Sequence, residues 1–125
     1  MGYAAKKRRL VLIVEDDRLL RMDALDMIEE AGFDVLEAGD ADEAIAILEA
    51  RADVQAIFTD IEMPTGSING LRLAHDVHHR WPTMVIIVTS GQSAIPEGDL
   101  PTGGRFFAKP YSFPEVTNTI RDLAN

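Results

Sequence analysis

Ile57-Phe58-Thr59-Asp60-Ile61-Glu62-Met63-Pro64 is the stretch that decides the fold of this chain. Its apolar, β-prone beginning is typical of a strand that is buried on both faces of a parallel sheet. Pro64 fixes its own φ angle and restricts the residue before it, so it ends the strand. Asp60 is therefore predicted to lie at the carboxyl end of a central strand, which is the edge where ligands bind in open α/β sheets.

The composition limits the classes of protein to be considered. With 125 residues the chain is long enough for one domain and too short for two. It contains no cysteine, which excludes disulfides, thiolate metal sites and cysteine nucleophiles. No stretch is long enough to span a membrane and no signal-peptide core is present, so we expect a cytoplasmic protein without a membrane partner.

The distribution of charge limits the classes of binding partner. The net charge of −9 argues against nucleic acid as a partner, because nucleic-acid binding depends on cationic side chains. Residues 1–9 contain the basic run Lys6-Lys7-Arg8-Arg9 and are interpreted as a solvated tail before a domain at 10–125. Contact of this tail with an acidic partner surface is the alternative.

Apolar runs and helical stripes alternate along the chain. The runs predict strands at 10–14, 34–38, 54–59, 84–88 and 105–108. The stripes predict helices at about 18–31, from Asp40, at about 69–80 and from Ser112. The side chains expected to face the core are Leu20, Ala24, Met27, Ile28, Ala31, Ala41, Ala44, Ile45, Leu48, Leu71, Ala74, Val77, Trp81, Phe113, Val116, Ile120 and Leu123. Residues 92–104 hold three glycines and two prolines without an apolar period, which predicts a shortened or irregular fourth helix.

This alternation predicts a parallel sheet, since parallel strands need helical crossovers. The first, third and fourth strands are the most apolar and should be central, whereas the second and fifth should be edges. The implied order is 2-1-3-4-5, a flavodoxin-like, doubly wound α/β fold with its switch point between the first and third strands.

With that order, five polar side chains meet at one edge of the sheet: Glu15, Asp16, Asp60, Thr89 and Lys109. Carboxylates held close together repel one another, and an all-oxygen cluster suits Mg²⁺. A lysine ammonium and a threonine hydroxyl beside such a metal form a phosphoryl-binding site. The aspartate on the central strand is best placed to act as a nucleophile and to form an acyl phosphate.

The chain resembles the receiver domain of two-component response regulators. Four motifs carry the resemblance, each at a predicted strand end: Val-Glu-Asp-Asp at 14–17, Thr-Asp-Ile-Glu-Met-Pro at 59–64, Val-Thr-Ser-Gly at 88–91 and Lys-Pro-Tyr at 109–111. The resemblance extends from about Leu10 to Leu123. It implies a CheY-like fold and a stand-alone phosphorelay protein that is not a turnover enzyme.

The resemblance also implies a chemical role for each site residue. Asp60 would accept a phosphoryl group from the phosphohistidine of a histidine kinase or histidine phosphotransfer protein. Asp16, Glu15 and the backbone carbonyl of Glu62 would bind Mg²⁺ together with Asp60.

On the phosphoryl side, the resemblance implies that Lys109 pairs with a phosphoryl oxygen and that Thr89 moves toward it on activation. Phe106 holds the position of an aromatic switch residue, with ordinary packing as the alternative. The peptide between Lys109 and Pro110 is expected to be cis. Output would be a contact with a downstream protein through the face around 92–124.

Three departures from the family pattern change these expectations. The loop from Pro64 to Gly70 has about two residues more than the commonest spacing. Glu62 stands where many relatives carry asparagine or another residue. Because the fourth helix is depleted, an order–disorder response of residues 92–104 is an alternative to the usual switch.

Simpler interpretations and other functions remain at this stage. The acidic run 15–17 and Thr89-Ser90 can cap the segments that follow them. His75 and His79 share a helix face at a spacing that can bind Zn²⁺, but no third ligand is evident. The alternative functions are an unphosphorylated interaction module of the same fold and a small Mg²⁺-dependent aspartyl phosphatase, which usually carries its nucleophile after the first strand.

Overall fold

The computed structural model describes residues 9–63, 69–91, 95–96 and 98–124. They form a five-stranded parallel sheet of order β2-β1-β3-β4-β5, which confirms the predicted fold class and strand order. The strands are β1 (Leu10–Val14), β2 (Asp34–Ala38), β3 (Val54–Asp60), β4 (Val85–Ser90) and β5 (Arg105–Ala108). The helices of the described residues are α1 (Arg18–Glu30), α2 (Ala41–Ala50), α3 (Gly70–Arg80) and α4 (Phe113–Leu123).

A core lies on each face of the sheet, because side chains alternate along every strand. In β1, Leu10, Leu12 and Val14 pack on one face with α2 and α3. Val11 and Ile13 pack on the other face with α1 and α4. All five residues of β1 are buried, as expected of a central parallel strand that is covered by helices on both sides.

Side-chain caps start each helix, as the sequence predicted for three of them. The carboxylate of Asp17 accepts hydrogen bonds from the backbone nitrogens of Leu19 and Leu20. Asp40 and Ser112 cap α2 and α4 in the same manner, and the side chain of Asn69 caps α3. The caps fix where each helix leaves the carboxyl edge of the sheet.

Three side chains that were predicted to face the core are exposed instead. Leu20 on α1 and Phe113 at the start of α4 are 46% and 51% exposed, and Leu123 at the end of α4 is 38% exposed. The helical stripe predicted the correct face of each helix, but the neighbouring element does not reach these positions at the helix ends. At Leu20 and Phe113 a cavity takes up the space between α1 and α4.

On α3, Ala74 and Val77 are buried as predicted, but the other two residues of the inward stripe differ from the prediction. Leu73 is fully buried, whereas Leu71 and Trp81 are only half-buried. The helix begins at Gly70, so the stripe that faces the sheet is Gly70, Leu73, Ala74 and Val77, at spacings of three, one and three.

The connection from β4 to β5 has no helix in its described residues, 91, 95–96 and 98–104, which confirms the predicted irregularity. Leu100 packs against the core on the α2–α3 face, and Pro101 is buried. The ring of His75 on α3 contacts the backbone carbonyl of Asp99. Gly103 has a φ angle of 82°, a conformation that glycine adopts without strain.

Several predictions concern residues outside the described ranges. Residues 1–8 of the basic tail, most of the 64–70 loop, and residues 92–94 and 97 of the irregular connection lie there. Among the described residues, no helix is long and apolar enough to cross a membrane.

Gly70 brings the first turn of α3 into close contact with the backbone at the end of β3. Its nitrogen donates to the carbonyl of Ile61 at 3.1 Å. A Cβ atom at this position would lie 1.8 Å from the carbonyl oxygen of Asp60. The close approach of α3 to the end of β3 therefore requires glycine.

We expect Gly70→Ala to lower the free energy of unfolding by about 3 kcal/mol, because backbone must move to admit the methyl group. Urea denaturation measures the change. Gly91→Ala is the matched control, since its Cβ would meet only the Glu62 carboxylate, at an ordinary 3.7 Å. Equal stability of the two variants would contradict the close packing of α3 on β3.

Candidate functional site

The carboxyl edge of the sheet brings the predicted polar groups together. Asp60 is the last residue of β3 and pairs in register with Thr89 of β4. Glu15 follows β1 directly, and Lys109 follows β5. Glu15, Asp60 and Thr89 are buried. These four residues thus converge on the edge predicted from the strand order.

Lys109 is the cation of the site. Its Nζ lies 2.6 Å from Oδ2 of Asp60 and 3.8 Å from Oε1 of Glu15. Its backbone nitrogen donates to the carbonyl of Ser90 at 2.8 Å, and its peptide bond to Pro110 is cis, as the resemblance implied. Burial acts to lower the pKa of Lys109, but the hydrogen bond and charge of Asp60, with the charge of Glu15, outweigh it and raise the pKa. The ammonium therefore stays charged beside the two carboxyl groups.

Glu15 is held from three sides. Its nitrogen donates to the carbonyl of Ala38 at 3.1 Å, and its own carbonyl accepts from Nη1 of Arg21 at 2.8 Å. Its Oε2 accepts from the backbone nitrogen of Asp17 at 3.0 Å. Burial raises the pKa of Glu15 to about 8; the Asp17 N–H opposes the rise, and the Asp60 and Asp16 carboxyl groups add to it. Burial therefore favours the protonated form of Glu15 in this arrangement.

The oxygen atoms offered by the acidic side chains of the site are of the type that binds a hard divalent cation. Glu15, Asp16 and Asp60 offer carboxylate oxygens, the ligand type that Mg²⁺ prefers. Glu15 and Asp60 both lie within ion-pair distance of the Lys109 ammonium, and Asp16 is the half-buried residue that follows Glu15 in the chain. Within the described residues, however, no group of three or more such side chains is arranged to hold a metal ion. In this arrangement the Lys109 ammonium supplies the positive charge against Asp60.

Glu62, two residues after Asp60, reaches across to the end of β4. Its carboxylate accepts from Oγ of Ser90 at 3.0 and 2.9 Å and from the nitrogen of Gly91 at 2.9 Å. Its backbone nitrogen donates to Oδ1 of Asp60 at 3.1 Å. Sequence reasoning assigned Ser90 only a capping role, and the polar residue that follows Thr89 was the available signal for this contact.

Thr89 and Phe106 lie on opposite faces of the sheet. Thr89 lines a cavity on the α1–α4 face, whereas Phe106 is half-buried and packs against the core on the α2–α3 face. In the β4–β5 register Phe106 pairs with Val88, and Phe107 pairs with Thr89. The packing role of Phe106 is thus present in this state, and its switch role stays a prediction.

The cavity beside the site has a volume of about 220 Å³ and was missed by sequence reasoning. Its polar end holds Glu15, Asp60, Thr89 and Lys109. Its apolar lining includes Leu20, Phe58, Tyr111 and Phe113. Phe58 and Tyr111 meet edge to face with ring centroids 5.7 Å apart, and Tyr111 lies 6.0 Å from Phe113. An apolar opening therefore leads directly to the Asp60 carboxylate.

The histidine pair on α3 has a different environment from that of a zinc site. A ring nitrogen of His75 is in hydrogen-bond contact with the backbone carbonyl of Asp99, and His79 is exposed. The described part of the chain contains no cluster of three metal-ligating side chains. The solvated-face interpretation of His79 is the one that this geometry favours.

Comparison with known proteins identifies the family. The model of the response regulator receiver domain matches residues 11–121. The chain belongs to this family. Receiver domains are signalling domains of two-component systems.

Relatives of this chain support the same assignment. The transcriptional regulatory protein PdtaR of Mycobacterium tuberculosis is 30% identical over 120 residues. The match covers 94% of this chain and 57% of PdtaR, so the chain spans little more than half the length of that relative.

Solved receiver structures share the fold. A response regulator receiver protein of Sinorhizobium medicae superposes with a TM-score of 0.86 at 22% identity, covering 95% of this chain and 96% of that one. The response regulator TrrA of Thermotoga maritima, solved in complex with Mg²⁺-BeF, has a TM-score of 0.80 at 21% identity, with coverage of 92% and 98%. At these identities the likeness concerns the fold alone.

We expect the Lys109–Asp60 pair to show a coupling free energy of about 1–3 kcal/mol in a double-mutant cycle of Lys109→Met and Asp60→Asn. The reason is that Lys109→Met leaves the two buried carboxyl groups without their cation. Urea denaturation of the four proteins measures the coupling. The exposed pair Arg51–Asp53, also at 2.6 Å, is the control. Its coupling free energy should not differ from zero beyond experimental error. Equal coupling of the two pairs would contradict the assigned role of Lys109.

Proposed function

We propose that this chain is a phosphoacceptor response regulator that takes a phosphoryl group on Asp60 and signals by protein contact. The observation that carries the proposal is the buried Asp60 carboxylate held at 2.6 Å by the Lys109 ammonium. Thr89 lies beside Asp60 in the neighbouring strand, and Glu15 lies within ion-pair distance of Lys109. Membership of the receiver family supports the same chemistry.

In the proposed reaction, an Asp60 oxygen attacks phosphorus and forms the O–P bond of an acyl phosphate. The P–N bond to the donor histidine breaks, and its electron pair returns to the imidazole, which takes up a proton. Lys109 stabilises the charge that develops on the phosphoryl oxygens, and the Thr89 hydroxyl donates a hydrogen bond to one of them.

Glu15, Asp16, Asp60 and the carbonyl of Glu62 are the residues that would hold Mg²⁺. When bound, Mg²⁺ supplies positive charge that offsets the phosphoryl oxygens and the crowded carboxylates. The carboxylate oxygens of Glu15, Asp16 and Asp60 support this assignment, because they are the ligand type that Mg²⁺ prefers.

The partner that delivers the phosphoryl group is proposed to be a histidine kinase or histidine phosphotransfer protein of the cytoplasm. Its histidine must approach Asp60 through the opening between α1 and α4. Leu20 and Phe113 flank that opening and are half-exposed, so a partner can cover them as it docks.

Incubation with acetyl phosphate and Mg²⁺ should add the mass of one phosphoryl group, measured by intact-mass spectrometry. We expect no adduct without Mg²⁺ and none in Asp60→Asn, because each lacks a necessary part of the site. Wild-type protein that gains no adduct and binds no beryllofluoride would instead be an interaction module. Adduct formation by Asp60→Asn would place the acceptor elsewhere.

We expect Leu20→Asp to slow phosphotransfer from a histidine kinase by about tenfold, because it places a charge on the rim that the partner must cover. Histidine kinases of the source organism are first screened for phosphotransfer to the wild-type chain. A kinase that is active in this screen, autophosphorylated beforehand, serves as the donor. Phosphorylation by acetyl phosphate should be unchanged, since that donor needs no docking surface. Leu19→Asp is the matched control: Leu19 is 74% exposed and does not line the opening. Equal slowing by both variants would contradict docking at this rim.

A further inference from the structure

Glu62 makes a contact that the proposed phosphoryl chemistry does not use. Its side chain is exposed, yet its carboxylate accepts hydrogen bonds from two donors at the end of β4. The hydroxyl of Ser90, a residue that is fully buried, lies within hydrogen-bond distance of both carboxylate oxygens, and the nitrogen of Gly91 donates to one of them. These donors are uncharged, so hydrogen bonds alone hold the carboxylate against them.

The same segment is tied to the phosphoacceptor. The nitrogen of Glu62 donates to Oδ1 of Asp60 at 3.1 Å, and the nitrogen of Ile61 donates to the carbonyl of Thr89 at 2.9 Å. A group added to Asp60 would therefore lie next to Glu62. The side chain of Glu62 is the one that accepts from Ser90 and Gly91. Lys109, the nearby cation, faces Asp60 and Glu15.

We propose that Glu62 is a charge-operated latch that holds Ser90 and Gly91 while Asp60 is free and releases them when Asp60 is phosphorylated. The inference rests on the proposed function, because it needs the acyl phosphate on Asp60. Phosphorylation replaces a carboxylate of charge −1 by a group of charge about −2. With Mg²⁺ present in both states, the added negative charge repels the Glu62 carboxylate and disfavours the latched position.

Release acts on the connection between β4 and β5. Gly91 is the first residue after β4, and Ser90, the last residue of β4, also accepts from the backbone nitrogen of Lys109, which follows β5. Opening the latch removes the side-chain restraint from the beginning of this connection, while Leu100 and Pro101 still anchor its later part in the core. Glu62 is thus a positioning residue that links the charge on Asp60 to the conformation after β4.

Two variants separate charge from hydrogen bonding. Glu62→Gln keeps an oxygen that can accept from Ser90 and Gly91 but has no charge to be repelled, whereas Glu62→Ala removes the acceptor. The readout is the amide signal and hydrogen exchange of Gly91 by NMR, with Mg²⁺ present throughout and measured without and with beryllofluoride as the phosphoryl mimic. Bound beryllofluoride is followed separately by fluorine NMR. Glu49→Gln, on α2 and paired with Arg80, makes the same change in net charge away from the site.

In the wild type and in Glu49→Gln, beryllofluoride binding should raise Gly91 exchange by about tenfold, the loss expected for a hydrogen bond to a charged acceptor. Glu62→Gln should stay protected in both states and change less than about twofold. Glu62→Ala should exchange rapidly in both states, with no further rise. This pattern cannot arise from a merely structural role, since such a role would affect both Glu62 variants equally with and without the mimic.

Other outcomes overturn the latch. Bound beryllofluoride that leaves Gly91 protected in the wild type would refute it while leaving the receiver function intact. An equal rise in Glu62→Gln and wild type would show that charge is not the cause. If Glu62 served only to position water, both of its variants would change the phosphoryl lifetime without altering the response of Gly91. Absence of both a phosphoryl adduct and beryllofluoride binding would overturn the proposed function, and the latch with it.

Discussion

The ion pair between Lys109 and Asp60 is the interaction on which the carboxyl edge of the sheet depends. Asp60 ends β3 and Lys109 follows β5, so the pair spans the end of β4 between them. Neighbouring strands lie about 4.8 Å apart, and only a long, cationic side chain can cross two such spacings to reach a carboxylate. The 2.6 Å contact therefore joins the ends of β3 and β5 across β4, and the Lys109 backbone nitrogen extends the β4–β5 pairing by donating to Ser90.

The same contact leaves a charge imbalance that the fold does not remove. One ammonium faces the carboxyl groups of both Asp60 and Glu15, and burial raises the pKa of Glu15 to about 8. A site optimised for stability alone would not collect acidic groups in a poorly solvated place. In the proposed function this arrangement is useful, because the arrival of Mg²⁺ would relieve the unfavourable negative charge.

Sequence patterns predicted those features that depend on strand burial and strand order. The apolar runs located all five strands, and their ranking placed Asp60 beside Thr89 and within reach of Lys109. The exposure of Leu20 and Phe113 was not predictable, since a helical stripe indicates which face turns inward but not whether a neighbouring element closes over its end. The Glu62–Ser90 contact was missed for a related reason: the direction of a loop side chain depends on the register of β3 against β4, which no local pattern records.

The irregular connection after β4 gives the Glu62 contact its importance. A helix moves as a cooperative unit, because each of its residues is held by the hydrogen bonds of its neighbours. Among the described residues between β4 and β5 there is no helix, and the restraints are separate contacts: Glu62 at the beginning, then Leu100 and Pro101 in the core. A segment held in this way can loosen at one end and stay anchored at the other. A single carboxylate next to Asp60 is then sufficient to control its beginning, whereas a continuous helix would respond only by moving as a whole.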